Sequence, residues 1–195
     1  MGRSSPRRRR PGNGSAPTAE PARAPGVALA PTPSLAHATV PRVWQGVGYR
    51  PLSDSAAARP LFDFAALPWP EPARLALAWG AFAAPSAEGE RLVGAILAEC
   101  EGRAMFLHGP VVVAGEEPLE IAAQLVTAAL DHGSALGADV IFARPQGLDR
   151  VWIRFGFIPV PESTLPVALA GRAGVGLYAW RGGSALWTLR EPPRE

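Results

Sequence analysis

The chain has 195 residues, a formal net charge of +2 and one cysteine, Cys100, enough for one domain with a well-buried core and some chain to spare. A single cysteine excludes an internal disulfide and a cysteine-rich zinc site. His37, His108 and His132 lie too far apart in sequence for the usual metal-ligand pairings, so no metal is expected. No stretch approaches about 18 uninterrupted apolar residues and the N-terminus has no secretory apolar region, which predicts no membrane span and a soluble, cytoplasmic protein.

Residues 1–40 contain no Trp, Tyr or Phe but hold seven prolines, the run Arg7 to Arg10 and a single acid, Glu20. Such a segment buries too little apolar surface to offset the entropy of ordering it, so it is expected to be a disordered tail, with one folded domain over residues 41–191. The charge is uneven: six arginines against one acid in residues 1–40, and 13 against 16 in the remainder. A basic surface therefore belongs to the tail alone, and any contact with nucleic acid is expected only there. An Arg- and Ser-rich, acid-poor tail also has the composition of a transit peptide.

From Val40 onward the elements follow in order. "GVGYRPL" is a short strand candidate ending at Pro51. In "SDSAAARPLFDFAAL", Ser53 or Asp54 is placed to cap a helix, with Leu61, Phe62, Phe64 and Leu67 on its apolar side. "LPWPEPAR" is a proline-broken loop. The runs at 75–84 and 91–100, joined by the polar "PSAEGE", predict a hairpin with Cys100 near a strand end. "AMFLHGPVVV" is almost continuously apolar, which suits a strand buried on both faces.

Helical spacing of Ile121, Ala122, Leu125, Val126, Ala129 and Leu136 predicts a helix over 119–136, stopped by Gly137. "DVIFA" reads as a buried strand, "GLDRVWIRFG" as a short helix stopped by Gly156, and "FIPV" as a strand. "VGLYAW" and "ALWTL", separated by "RGGS", predict a closing hairpin. The order implies one mixed α/β layer structure without internal repeats.

Gly109-Pro110-Val111-Val112-Val113, the helix "IAAQLVTAALDHGSALGAD", the strand "VIFA" and Arg154-Phe155-Gly156-Phe157 together resemble the GNAT superfamily of acyl-CoA-dependent acyltransferases. The resemblance spans roughly three quarters of the chain and is strongest at its centre. It implies a mixed α/β (α+β) fold: a central, mostly antiparallel sheet with splayed central strands, flanked by helices. In that family the splayed strand pairs with the pantetheine arm of CoA through its exposed main chain. Pyrophosphate then rests on N–H groups at the next helix N-terminus. The resemblance thus implies acetyl-CoA or another acyl-CoA as co-substrate, held along Val111, Val112, Val113, Ala114, Glu117, Glu120, Ile121 and Ala122.

Three positions, Glu117, Glu120 and Trp152, depart from the family pattern. Its phosphate turn reads Gln or Arg, two residues, Gly, one residue, then Gly or Ala; here Glu117 and Glu120 occupy the first two places and Ala122 alone conforms. Pro118 also removes an N–H. Acids in the first turn stabilise a helix N-terminus, yet one about 5 Å from a phosphate costs roughly 3 kcal/mol at an effective dielectric near 20. Where many members place a Tyr, four residues before the Gly of "GF", this chain has Trp152, whose indole is no practical acid.

A general base for an amine acceptor is expected from Glu99 or His108, near the ends of the central strands. The expected function is transfer of an acetyl or other acyl group from acyl-CoA to an acceptor, an amine by analogy. The alternative is a catalytically inactive GNAT-fold domain serving interaction or regulation.

Overall fold

The computed structural model describes residues 34–86, 89–113, 117–170 and 186–190. Outside them lie Arg7 to Arg10 with the expected tail up to residue 33, the "VGLYAW" arm and "RGGS" turn of the closing hairpin, and Ala114. A four-residue helix, α1 (Leu35–Ala38), precedes Val40, where the sequence places the start of the folded part. Ser34 caps it by accepting from the His37 N–H, and Ala38 is buried.

β1 (Arg42–Trp44) and β2 (Val47–Pro51) form a hairpin turned by Gln45 and Gly46, both at positive φ. β1 was not legible in the sequence, since three residues on an edge carry no alternation to detect. Asp54 caps the next 3-10 turn through the Ala56 N–H, and α2 (Arg59–Phe64) follows with Pro60 in its first turn. β3 (Leu75–Ser86) and β4 (Gly89–Glu101) make the long hairpin expected. β5 (Ala104–Val112) is almost wholly buried.

Then come α3 (Pro118–Ala135), β6 (Val140–Ala143), α4 (Asp149–Arg154), β7 (Ile158–Val160) and β8 (Leu186–Arg190). Among the described residues eight strands form one sheet in the order β1-β2-β3-β4-β5-β6-β8-β7, antiparallel except for the parallel pair β5 and β6. β8 thus lies between β6 and β7 and pairs with both.

The sheet is covered on both faces, as its apolar strands require. α3 and α4 cover one face, with Leu125 and Trp152 packed in the cluster of Tyr49, Trp79, Ile96 and Leu107. On the other face α2 packs through Leu61 and Phe62 on Ala95, Leu97 and Val111, and the segment after β7 packs through Leu165 and Leu169 on Phe106, Phe142 and Leu186.

Candidate functional site

Two features of β5 shape the site. The first is a bulge: Ala95 pairs with Val111 but Leu97 pairs with His108, so β5 carries one residue more than β4 across this stretch. Gly109 and Pro110 absorb it. Gly109 has φ +89, and a Cβ there would stand 3.0 Å from the Val111 nitrogen, so a side chain is excluded both by conformation and by space. Pro110 has no N–H to give to a ladder, which suits a bulge. The extra residue resets the alternation, so that His108 and Val111 both face α2 although three apart.

The second feature is divergence. β5 pairs with β6 only from Ala104 to Leu107, because β6 stops at Ala143. Past Leu107 the strand keeps β4 as partner, with the Val113 N–H still donated to the Val93 carbonyl at 2.9 Å, while its other edge has no strand partner among the described residues.

A cavity of about 330 Å³ fills this gap, at the lower end of the range usual for small-molecule pockets. Pro110, Val111 and Val112 form its β5 wall, and Pro118, Leu119 and Ala122 of α3 its second wall. Gln146 and Leu148 close it from the β6 side, and Ala65 and Leu67 from beyond α2. Contributions from helices on opposite faces make it a slot between the diverging strands.

The turn carrying Gln146 is held firmly. Gln146 and Gly147 both have positive φ, and the Pro145 carbonyl accepts from the Leu148 N–H at 2.7 Å. The same carbonyl accepts the Trp152 indole N–H at 3.1 Å, and Trp152 is fully buried. The residue at the family's usual Tyr position is therefore a buttress of the slot wall, with its one polar hydrogen already bonded. Gln146 Oε1 is buried and bonded to no described group. A left-handed glutamine in such a place is costly backbone geometry that a rigid surrounding must maintain.

The structure brings Glu99 and His108 together. His108 Nε2 is 3.1 Å from Glu99 Oε1, and both side chains are at least 95% buried, at 5% and 3% exposure. Leu97 pairs with His108 and Phe106 with Glu99, so all four side chains share the α2 face, with the rings of Phe106 and His108 5.0 Å apart. His108 lies two residues before Pro110 of the slot wall.

Of the expected CoA-contacting residues, Val111, Val112 and Ala122 line the slot, while Val113 sits at its end with its N–H already donated. Ile121 points into the core instead, because its position on α3 faces the sheet. Glu117 is the N-cap residue of α3, but its side chain makes no cap hydrogen bond; its carbonyl accepts from the Glu120 and Ile121 N–H groups, each at 3.0 Å. Glu120, the second acid of the turn, is paired. Its carboxylate accepts from Arg154 Nη1 at 2.7 Å and from Gln124 Nε2 at 3.0 Å. Those bonds hold the carboxyl below the usual carboxylate range, with Arg154 the larger cause.

Sequence reasoning missed Gln146 and the pairing role of Arg154. The tripeptide Pro145-Gln146-Gly147 carries a turn signal that could have flagged the first. Nothing in sequence places Arg154 across α3, 34 residues from Glu120. Among the described residues no group of three or more His, Cys, Asp or Glu is placed to hold a metal, and no helix is long and apolar enough to cross a membrane.

By sequence, the chain matches no protein-family model and no curated protein. By structure, it is similar to a chain of the NatC complex bound to Gag peptide and CoA, with TM-score 0.54 and 16% identity, covering 76% of this chain and 100% of that one. It is also similar to N-acetylglutamate synthase from Neisseria gonorrhoeae, complexed with coenzyme A and N-acetyl-glutamate. There the TM-score is 0.52 and the identity 15%, over 76% of this chain but 36% of that one. An acetyltransferase from Streptococcus agalactiae matches with TM-score 0.50 and 13% identity, over 76% of this chain and 100% of its own. At such identities the likeness is one of fold, and the fold is that of the GNAT acetyltransferases.

Proposed function

We propose that the protein is an acyltransferase that takes an acyl group from a CoA thioester and passes it to an amine. The observation that carries this reading is the slot beside the edge of β5 that has no strand partner among the described residues. Its size and apolar walls suit an acylated pantetheine arm, and Val111 and Val112 offer main-chain groups as a neighbouring strand would. CoA-bound proteins with this fold support the choice of donor.

In this reading Glu99 and His108 prepare the acceptor. The Glu99 carboxylate accepts the Nε2–H of His108 and so leaves Nδ1 as the proton acceptor. The amine nitrogen attacks the thioester carbonyl carbon as His108 Nδ1 removes its proton; the C–S bond breaks, and the thiolate is protonated from solvent. Trp152 takes no part in that last step, because its indole N–H is bonded to Pro145.

Thiol release from acetyl-CoA in the presence of a panel of primary amines tests the proposal. Release should be measurable for the native chain and should fall by about a hundredfold in His108→Gln, the range of a lost general base. The second reading, a GNAT-fold domain that serves interaction without catalysis, is favoured by the bonded indole of Trp152 and by Glu117. It predicts no thiol release above background with any amine.

A further inference from the structure

Resting on the acyltransfer reading, we infer that the slot selects its donor by the acylated pantetheine arm alone and does not read the 3′-phospho-ADP portion of CoA. The wall chemistry supports this at one end. Among the described residues that line the slot none is charged, and Gln146 is the one with a polar side chain that can hydrogen-bond. Its buried Oε1 needs a donor, and an amide N–H of the kind the pantetheine arm carries supplies one without bringing charge into an apolar wall.

Among the described residues, the start of α3 offers little of what a diphosphate requires. A phosphate site at a strand-to-helix turn is built from free N–H groups and cations. Here Pro118, which lines the slot, has no N–H. The Glu120 N–H is turned back onto the Glu117 carbonyl at 3.0 Å. Arg154, the cation that reaches the first turn of α3, is bound to Glu120 at 2.7 Å. Glu117 adds an exposed carboxylate with no cap bond to neutralise it. A diphosphate placed there would meet a negative charge and a cation already paired, whereas an uncharged arm would meet neither.

Calorimetric titration of the full chain with acetyl-pantetheine and with acetyl-CoA decides the matter. The inference predicts affinities within about tenfold of each other, since like-charge repulsion offsets any gain from the ADP portion. Acetyl-CoA binding more than about tenfold tighter overturns it while leaving the acyltransfer reading intact. If neither thioester binds at millimolar concentration, that reading fails and this inference with it. A double variant, Glu117→Arg with Glu120→Gly, gives a second test. It should tighten acetyl-CoA by at least about tenfold and leave acetyl-pantetheine unchanged, because it restores a cation and frees Arg154. No change for either ligand contradicts the inference.

Discussion

Tyr49 lies on β2 beneath α3, 1% exposed, with a hydroxyl that bonds to no described group. Burial, aided by the negative charge of Glu120, raises its pKa to about 12. A buried hydroxyl without a partner costs about 1–3 kcal/mol, so Tyr49→Phe should raise the unfolding free energy by about 1 kcal/mol, read as a higher urea midpoint at unchanged slope. A loss of stability would mean that the hydroxyl has a partner. The Glu120–Arg154 pair gives a pH-dependent counterpart. A carboxyl held below its ordinary value of 4.5 contributes stability that is full above that value and lost as pH falls through the lowered folded one. In Arg154→Gln the Glu120 titration followed by NMR should move back up towards 4.5. Residue identity showed where acids stand in the phosphate turn but not their partners, since ion pairs between α3 and α4 depend on packing.

At the scale of elements, α3 is held to the sheet near its C-terminus by a second titratable contact. His132 Nδ1 accepts the Trp79 indole N–H at 3.2 Å, and burial lowers the imidazole pKa from 6.5. A histidine lowered in the folded state favours folding most above its unfolded value, and that contribution disappears as pH falls from 6.5 through the folded value. The urea midpoint should therefore decline over this window, and His132→Gln should flatten the decline; an unchanged slope in the variant would exclude His132 as its source. In β5, Gly109→Ala should destabilise by about 1–3 kcal/mol, through positive φ and the close Val111 nitrogen. α3 and β5 were legible because apolar periodicity and an unbroken apolar run survive any context. The Glu99–His108 pair was legible only as two candidates: the β4–β5 register, set by the tight turn after Glu101 and regular as far as Leu97, is what joins them.

At the scale of the molecule, most of the element order was readable, and with it the mixed sheet, while the slot was foreshadowed only by the resemblance, as a splayed strand, and not by the residues themselves. It arises because β6 ends at Ala143 while β5 runs on to Val112, a mismatch in length between strands 28 or more positions apart in sequence. The position of β8 between β6 and β7 was equally hidden, since the expected hairpin implied only a sequential neighbour. The central claim is that this slot receives the acylated arm. A crystal structure of the protein with a non-hydrolysable acetyl-pantetheine analogue tests it most directly. The account predicts the arm between Val111–Val112 and Gln146–Leu148, with an amide N–H on Gln146 Oε1 and the acyl end towards His108; an arm bound anywhere else on the protein would contradict it.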